Sequence, residues 1–194
     1  MASSPTVLEE GLPAPAVRTD ASARDVEARK IALIRTHLTP VWGFLRRLGL
    51  PPADAEDAGQ EVFLTAMRKI DSIVPGQEKR YLFAIAVRVA SRRRRSARSF
   101  TSRAVDIDLD AVEADAPSSE ELIARQQTLA LLDRALATLS DGMREVFILY
   151  ELEEMSMPEI AEVLDVPIGT VASRLRRGRE QFQKATLRMQ SRQP

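Results

Sequence analysis

Cysteine is absent from this 194-residue chain, and histidine occurs once, at position 37. Without thiolates the chain has no disulfide framework and no cysteine-ligated zinc site, and His37 alone cannot supply a histidine cluster. We therefore expect neither a metal nor any other cofactor. Glycine is scarce at 8 residues and aromatic residues make up 5% of the chain, which disfavours a β-sandwich or a β-barrel.

Long apolar runs are missing as well. No stretch approaches the length of a transmembrane helix, and the first 20 residues lack the apolar core of a signal peptide. From these absences we expect a cytoplasmic protein with no membrane insertion. The chain also lacks a glycine-rich phosphate loop and a histidine-paired nucleophile, so an enzyme is the weakest functional class and we expect a protein that is not one.

The charges balance overall but are segregated along the chain. There are 28 basic and 28 acidic residues, for a net charge of zero. All the charged residues between Val105 and Glu121 are acidic, whereas positions 92–95 are consecutive arginines and residues 168–188 are basic apart from Glu180. Segregation of this kind predicts separate surfaces for separate partners.

Apolar residues recur at three- and four-residue steps in several segments, which is the period of an amphipathic helix. In the first segment, about residues 25–48, Pro40 should kink or split the helix. In the second, about residues 55–70, Asp54 is placed to cap the N-terminus. The third helix, about residues 80–95, carries several arginines on one face.

The predicted fold class is all-α, with two small helical domains joined by a flexible acidic linker. Self-repulsion and low hydrophobicity should keep this linker extended, so we expect the domains to tumble semi-independently in solution. The predicted divisions are a disordered tail over residues 1–25, a three-helix domain over 26–96, the linker over 97–119, a helix-turn-helix domain over 120–188 and a second tail over 189–194.

The sharpest motif lies near the C-terminus. Glu159 follows Ser156 by three residues, the spacing of a capping box, so a helix should begin there. The segment 165–169 breaks that helix, and another resumes near Pro167 with small residues at its tip and arginines behind them. Such a helix can enter a major groove and read bases with its first turns. The predicted DNA contacts are Gly169, Thr170, Ala172, Ser173, Arg174, Arg176 and Arg177.

These segments resemble the sigma factors of bacterial RNA polymerase, and in particular the short extracytoplasmic-function (ECF) branch of the sigma-70 family, which keeps the second and fourth conserved regions. The resemblance covers about residues 28 to 187. Region two is seen in residues 55–63 and 81–86. Region four is seen in residues 139–147, 157–164 and 167–175.

The resemblance implies partners and roles. The implied partners are core RNA polymerase, through its clamp coiled coil and its flap, promoter DNA and an anti-sigma factor. Region four would read the minus-thirty-five element, and the loop at residues 71–79 would hold a base flipped out of the minus-ten element. The residues implied to bind the clamp are Asp57, Gln60, Glu61 and Leu64. Those implied to contact the minus-ten strand are Arg80, Tyr81, Arg88, Arg92 and Arg95.

Several positions depart from the family pattern. Tyr81 stands where tryptophan is usual, Arg88 where asparagine is usual and Arg92 where an acidic residue is usual, so the third helix is more basic than in most members. Ala172 occupies a place often held by lysine or arginine. Tyr81 and Phe83 are candidates for base stacking, although the core is the favoured place for each of them.

The sequence leaves two other functions of the protein open, and also a second role for the linker. A sigma-like decoy would capture an anti-sigma protein without engaging DNA, and would have little reason to keep a basic recognition helix. A helix-turn-helix repressor or activator would leave region two unexplained. For the linker, the resemblance implies passage through the polymerase's active-site and RNA-exit channel, with Asp106, Asp108 and Asp110 mimicking nucleic acid; the alternative is a plain solvated tether.

Overall fold

A computed structural model describes residues 20–100 and 119–191, and in these two segments every regular element is helical. The acidic stretch with Asp106, Asp108 and Asp110, and the predicted tail before position 20, lie outside the described residues. The elements are α1 (Asp20–Arg47), α2 (Pro52–Arg68), a 3₁₀ turn (Ile70–Ser72), α3 (Glu78–Phe100), α4 (Ser119–Ala137), α5 (Asp141–Phe147), a π-helical turn (Ile148–Leu152), α6 (Met157–Leu164) and α7 (Ile168–Gln190).

Helix α1 is longer and more regular than its sequence predicts. It begins at Asp20, within the stretch predicted to be a disordered tail, and it continues through Pro40 without a break. Of the two outcomes expected at Pro40, a kink or a split, the split was therefore wrong. Val41 and Phe44, in the turn after the proline, are fully buried. Tertiary packing therefore holds the helix together even though proline cannot donate its backbone hydrogen bond.

The other helix ends also differ in detail from expectation. Helix α2 begins at Pro52 with Pro51 in the N-cap position and no side-chain cap, so Asp54 is not the cap; it lies in the first turn, where its charge suits the helix dipole. Helix α3 continues to Phe100, into the predicted linker. At the chain's far end, α7 reaches Gln190, into the predicted second tail.

The first three helices share a tightly packed interior. Phe44 of α1 and Phe83 of α3 are fully buried and meet edge to face, with ring centroids 4.6 Å apart. Val62 of α2 and Leu82 of α3 are also fully buried. Edge-to-face geometry is favourable for aromatic pairs, and this pair fixes α3 against α1.

The helix-turn-helix has the predicted local structure. The Ser156 hydroxyl accepts a hydrogen bond from the Glu159 amide at 3.5 Å, and the Ser156 amide donates to Glu159 Oε2 at 2.9 Å. The reciprocal pair confirms the capping box. Asp165 ends α6 in the left-handed conformation, with φ 53°, and α7 begins three residues later.

Helix α7 packs through the apolar sector that its period predicts. Val171 and Leu175 are buried, and Phe182 stacks on Phe147 of α5 with ring centroids 4.7 Å apart. Gly178 is buried against α5, where a Cβ would lie in ordinary contact, 3.6 Å from the Met143 carbonyl oxygen. The opposite side of α7 is thereby left for solvent or a ligand.

The two helical units are in contact, which the composition of the linker does not predict. Helix α3 packs against α6, and one continuous apolar core includes residues from both units, such as Phe83 and Ile160. The charges that are segregated along the sequence meet here, because arginines of α3 pair with acidic residues of α5 and α6. The contact combines buried apolar surface with complementary charge, and neither is visible when each segment is read alone.

Candidate nucleic-acid and polymerase interfaces

The exposed tip of α7 is made of small residues. Gly169 and Ala172 are exposed, and a Cβ at Gly169 would meet nothing within 4 Å. Thr170 is half-buried, and its carbonyl accepts a hydrogen bond from the Ser173 hydroxyl at 3.0 Å. A narrow tip of this kind lets a helix backbone come close to the base edges in a major groove.

The arginines behind the tip do not all face the same way. Arg176 and Arg177 are exposed, and Arg176 donates to Glu180 one turn later at 2.7 Å. Arg174 is half-buried and turns toward α5, since a Cβ on Gly142 would lie 3.1 Å from its Cζ. Of the three predicted arginine contacts, the structure therefore presents two outward and turns one toward its own domain.

Arg179 extends the same basic surface and escaped the sequence analysis. Its guanidinium donates to Glu151 at 2.6 Å and lies 5.1 Å from the centre of the Tyr150 ring. The hydrogen bond to Glu151 raises the pKa of Arg179 above its ordinary value. Arg179 is hard to find from the sequence, because the partners that hold it, Tyr150 and Glu151, lie about thirty residues earlier in the chain.

The basic residues of α3 divide into free and engaged groups. Arg88 and Arg95 are exposed. Arg92 is hydrogen-bonded to Glu61 of α2, and Arg80 donates to Glu162 of α6 at 2.5 Å. The helical spacing that places the four arginines on one side of α3 does not reveal that two of them have acidic partners on other elements.

A small cavity lies between the 71–79 loop and the start of α3. It has a volume of about 260 Å³, and Tyr81 lines it together with Ile73 and Val74 of the loop. Phe83 is fully buried in the core, so of the two aromatic candidates only the half-buried Tyr81 is placed to stack on a base. Glu162 and Val163 of α6 also line this cavity.

The loop itself is tied to α1. Arg29 donates to the Ile73 carbonyl at 2.6 Å and to Glu78 at 3.4 Å. Desolvation acts to raise the pKa of Glu78, but hydrogen bonds to the backbone and to Arg29 together lower it. These bonds hold both ends of the loop in place.

The predicted polymerase-binding residues lie together on α2. Asp57, Gln60 and Leu64 are exposed, whereas Glu61 is half-buried by its contacts with α3. Arg93 of α3 approaches this acidic side, with its nitrogens 3.9 Å from Asp57 and 3.8 Å from Glu61. The acidic charge of the face is thus partly balanced by α3.

An apolar groove runs beside this face, between α1 and α2, and has a volume of about 640 Å³. Leu64 lines one wall, and Leu38 of α1 lines the other; their exposed fractions are 53% and 52%. Open apolar surface of this kind is typical of a docking site for a helix. The α1 residues were missed because both walls are needed to show a groove. The apolar lining is Ile34, Leu38, Trp42, Phe63, Leu64 and Met67.

Two negative findings apply to the described residues, 20–100 and 119–191. No group of three or more histidine, cysteine, aspartate or glutamate side chains there is arranged to hold a metal ion. None of the helices in these ranges is both long enough and apolar enough to cross a membrane.

An exposed recognition helix and a separate three-helix unit with an apolar groove define a two-part helical DNA-binding protein. Comparison with known proteins identifies the family. Residues 33–100 match the model for Sigma-70 region 2, and residues 129–182 match that for Sigma-70, region 4. The chain belongs to the sigma-70 family and, with the relatives below, to its ECF branch.

Similar proteins are found in three different bacteria. SigW of Bacillus subtilis is 30% identical over 145 residues, covering 68% of this chain and 74% of the relative. The sigma-E factor of Escherichia coli K12 is 32% identical over 143 residues, covering 68% and 73%. SigE of Mycolicibacterium smegmatis is 32% identical over 150 residues, covering 77% of this chain but 58% of the relative. All three are named ECF RNA polymerase sigma factors.

Solved structures show the same fold. The sigma factor RpoE of Bartonella quintana, in complex with the anti-sigma factor NepR, superposes with a TM-score of 0.58 at 25% identity, covering 86% of this chain and 97% of that one. CnrH, in complex with the cytosolic domain of CnrY, superposes with a TM-score of 0.57 at 22% identity, covering 85% and 96%.

Proposed function

We propose that this chain binds core RNA polymerase and directs it to promoters by reading two DNA elements, without catalysing a reaction of its own. The observation that carries the proposal is the presence, on one chain, of an outward recognition helix and of a second basic helix beside an apolar docking groove. A cytoplasmic location follows from this role, since the polymerase and the promoters are there.

In this proposal α7 reads the upstream, minus-thirty-five element. Gly169, Thr170, Ala172 and Ser173 form the tip that enters the major groove, with Arg176 and Arg177 gripping phosphates or bases. Arg174 contributes less to DNA binding, because its side chain turns toward α5. Arg179, held by Glu151 and Tyr150, is an added phosphate contact.

The minus-ten element is assigned to α3 and to the loop before it. Arg88, Arg92 and Arg95 would follow the phosphates of the single strand, while Tyr81 stacks on a base in the cavity beside the loop. Arg80 lies at the same edge of the cavity. The arginines at positions 88 and 92 make this helix depend on backbone charge more than in most members of the family.

The polymerase would dock on α2. Asp57, Gln60 and Glu61 offer polar contacts to the clamp coiled coil, and Leu64 opens into the apolar groove, which fits one face of a helix. Region four would bind the flap. An anti-sigma factor is a further partner, as for the sigma factor RpoE, which was solved in complex with the anti-sigma factor NepR.

We expect Arg176→Ala and Arg177→Ala each to weaken binding to promoter DNA that carries the upstream element. Each guanidinium is exposed on the outward side of α7, where a lost contact to a base or phosphate is worth about 1 to 3 kcal/mol. Fluorescence anisotropy with duplex DNA measures the change. Lys184→Ala is the matched control, because it removes one exposed cation two turns further along α7, beyond the part of the helix assigned to the DNA major groove. Unchanged affinity in both arginine variants, with normal circular dichroism, refutes this use of α7.

The function as a whole is tested by run-off transcription with core polymerase and the purified chain. Promoter-specific transcripts that depend on the added chain are the expected result. A decoy would bind an anti-sigma factor but give no transcripts. A helix-turn-helix regulator would bind duplex DNA without binding core polymerase.

A further inference from the structure

A second groove lies between the end of α4 and the second half of α7, and none of the DNA contacts proposed above belongs to it. Its volume is about 350 Å³. The floor is apolar, because Ala185 is buried there and Leu131 and Met189 are half-buried. We call this site the basic groove, because its rim carries three exposed cations: Arg134 of α4 and Lys184 and Arg188 of α7.

The cations at the rim are not balanced by neighbouring acids. Elsewhere in the protein, arginines between helices are paired with carboxylates, as Arg92 of α3 is with Glu61 of α2. Among the side chains that the structure describes, no carboxylate pairs with Arg134, Lys184 or Arg188. Three like charges beside an apolar floor make a site for a ligand that is both acidic and apolar.

The segment between α3 and α4 has the matching composition. Helix α3 ends at Phe100 and α4 begins at Ser119. Successive side chains of an extended chain point to opposite sides, so an extended form of this segment has one apolar side for the floor and one acidic side for the rim. Apolar and acidic residues alternate strictly over Val105, Asp106, Ile107, Asp108, Leu109 and Asp110.

The segment is also long enough to reach the basic groove. It joins α4 at Ser119, and Leu131 and Thr138 lie about 18 and 29 Å further along the helix axis. An extended chain covers those distances in about 6 and 9 residues, which brings Asp110 and Glu113 beside the groove if the segment folds back along α4. A tether this short gives an effective concentration of about a millimolar, which favours this occupant over an acidic segment of another protein.

We propose that the basic groove between α4 and α7 is the docking site of the chain's own acidic segment, residues 105–113, which folds back along α4. In the free protein the linker then follows a defined course over region four, whereas its composition alone predicts an extended tether. The inference does not depend on the roles proposed for α3 or for the tip of α7, since it uses neither of them.

A spin label on the full chain measures the docking. The absence of cysteine allows a single label at position 111, through Ala111→Cys, within the stretch that reaches the groove. The electron paramagnetic resonance spectrum shows how freely the label moves. We expect a slow component at low salt, and its loss at about 1 M salt, where the Debye length is about 3 Å.

Reversal of the charge of the groove tests where the segment docks. Lys184→Glu combined with Arg188→Glu should abolish the slow component, because the acidic segment is then repelled. The matched control is Arg176→Glu combined with Arg177→Glu. It makes the same change of charge on two exposed arginines of the same helix, on the side assigned to DNA, and should keep the slow component.

A charge swap separates loss of docking from damage to α7. Asp110→Lys with Glu113→Lys, added to the reversed groove, should restore the slow component, which a misfolded α7 would not allow.

Four results overturn the proposal. A fast spectrum in the parent chain leaves the groove to an acidic segment of another protein. A slow component that groove reversal leaves unchanged places the segment elsewhere. An equal loss in the control variant shows general attraction to a basic helix, without use of the groove. A slow component that is lost on dilution shows that the segment comes from a second copy of the chain.

Discussion

Gln60→Ala combined with Leu64→Asp should abolish co-elution of the chain with core RNA polymerase and, with it, promoter-specific transcription. Both residues are exposed at the apolar groove between α1 and α2, so an apolar partner helix would have to bury the new carboxylate without a counter-charge. Burial of an unpaired charge is among the largest penalties that one substitution can impose on an interface. We expect affinity to fall by at least about a hundredfold.

The control for this prediction is Leu187→Asp, which places the same charge on an equally exposed leucine of α7. Leu187 has an exposed fraction of 58%, against 53% for Leu64. Its folding and polymerase binding should match those of the parent. If the groove variant binds polymerase normally on size-exclusion chromatography, the docking site lies elsewhere.

Phe44→Ala should lower the free energy of unfolding by about 3 to 5 kcal/mol. The ring is fully buried and meets Phe83 edge to face, so truncation leaves a cavity and also removes an aromatic pair. Since the stability of a small protein is about 5 to 15 kcal/mol in total, the variant should unfold at much lower urea concentration. Far-UV circular dichroism during urea titration measures the shift.

Leu38→Ala serves as the comparison for stability, because it truncates an apolar side chain of the same helix that is 52% exposed. Exposed truncations change stability by about half a kcal/mol or less. A similar urea midpoint for both variants would mean that α1 does not pack through Phe44. The two results together separate the core side of α1 from its groove side.

Local features of the fold were well predicted from the chain. The capping box at Ser156 and Glu159 and the buried stripe through Val171 and Leu175 follow from short-range spacing, and the structure confirms both. Such features depend on backbone hydrogen bonds and on the helical period, which a few neighbouring residues set. The start of α2 was predicted at the wrong residue, because helix ends are set by weaker preferences than helix interiors. Here the helix begins at Pro52, after Pro51 and before Asp54.

The candidate site was predicted only in part. Spacing along one helix placed Arg80, Arg88, Arg92 and Arg95 on one side of α3, but the acidic partners of Arg80 and Arg92 come from other elements. The groove likewise needs a wall from α1 that the α2 motif does not contain. Ion pairs between helices and grooves between helices both depend on which two segments come into contact. The apolar period of one segment does not show which other segment it will contact.

The sequence by itself determined the helical class, the helix-turn-helix and the family, because each depends on local spacing or on motifs read in order. Only the tertiary structure decided that Arg94 pairs with Glu145, 51 residues away, and that Phe83 belongs to the core while Tyr81 lines a cavity. The physical reason is that desolvation and charge pairing act between surfaces. Those surfaces exist only once the helices have packed.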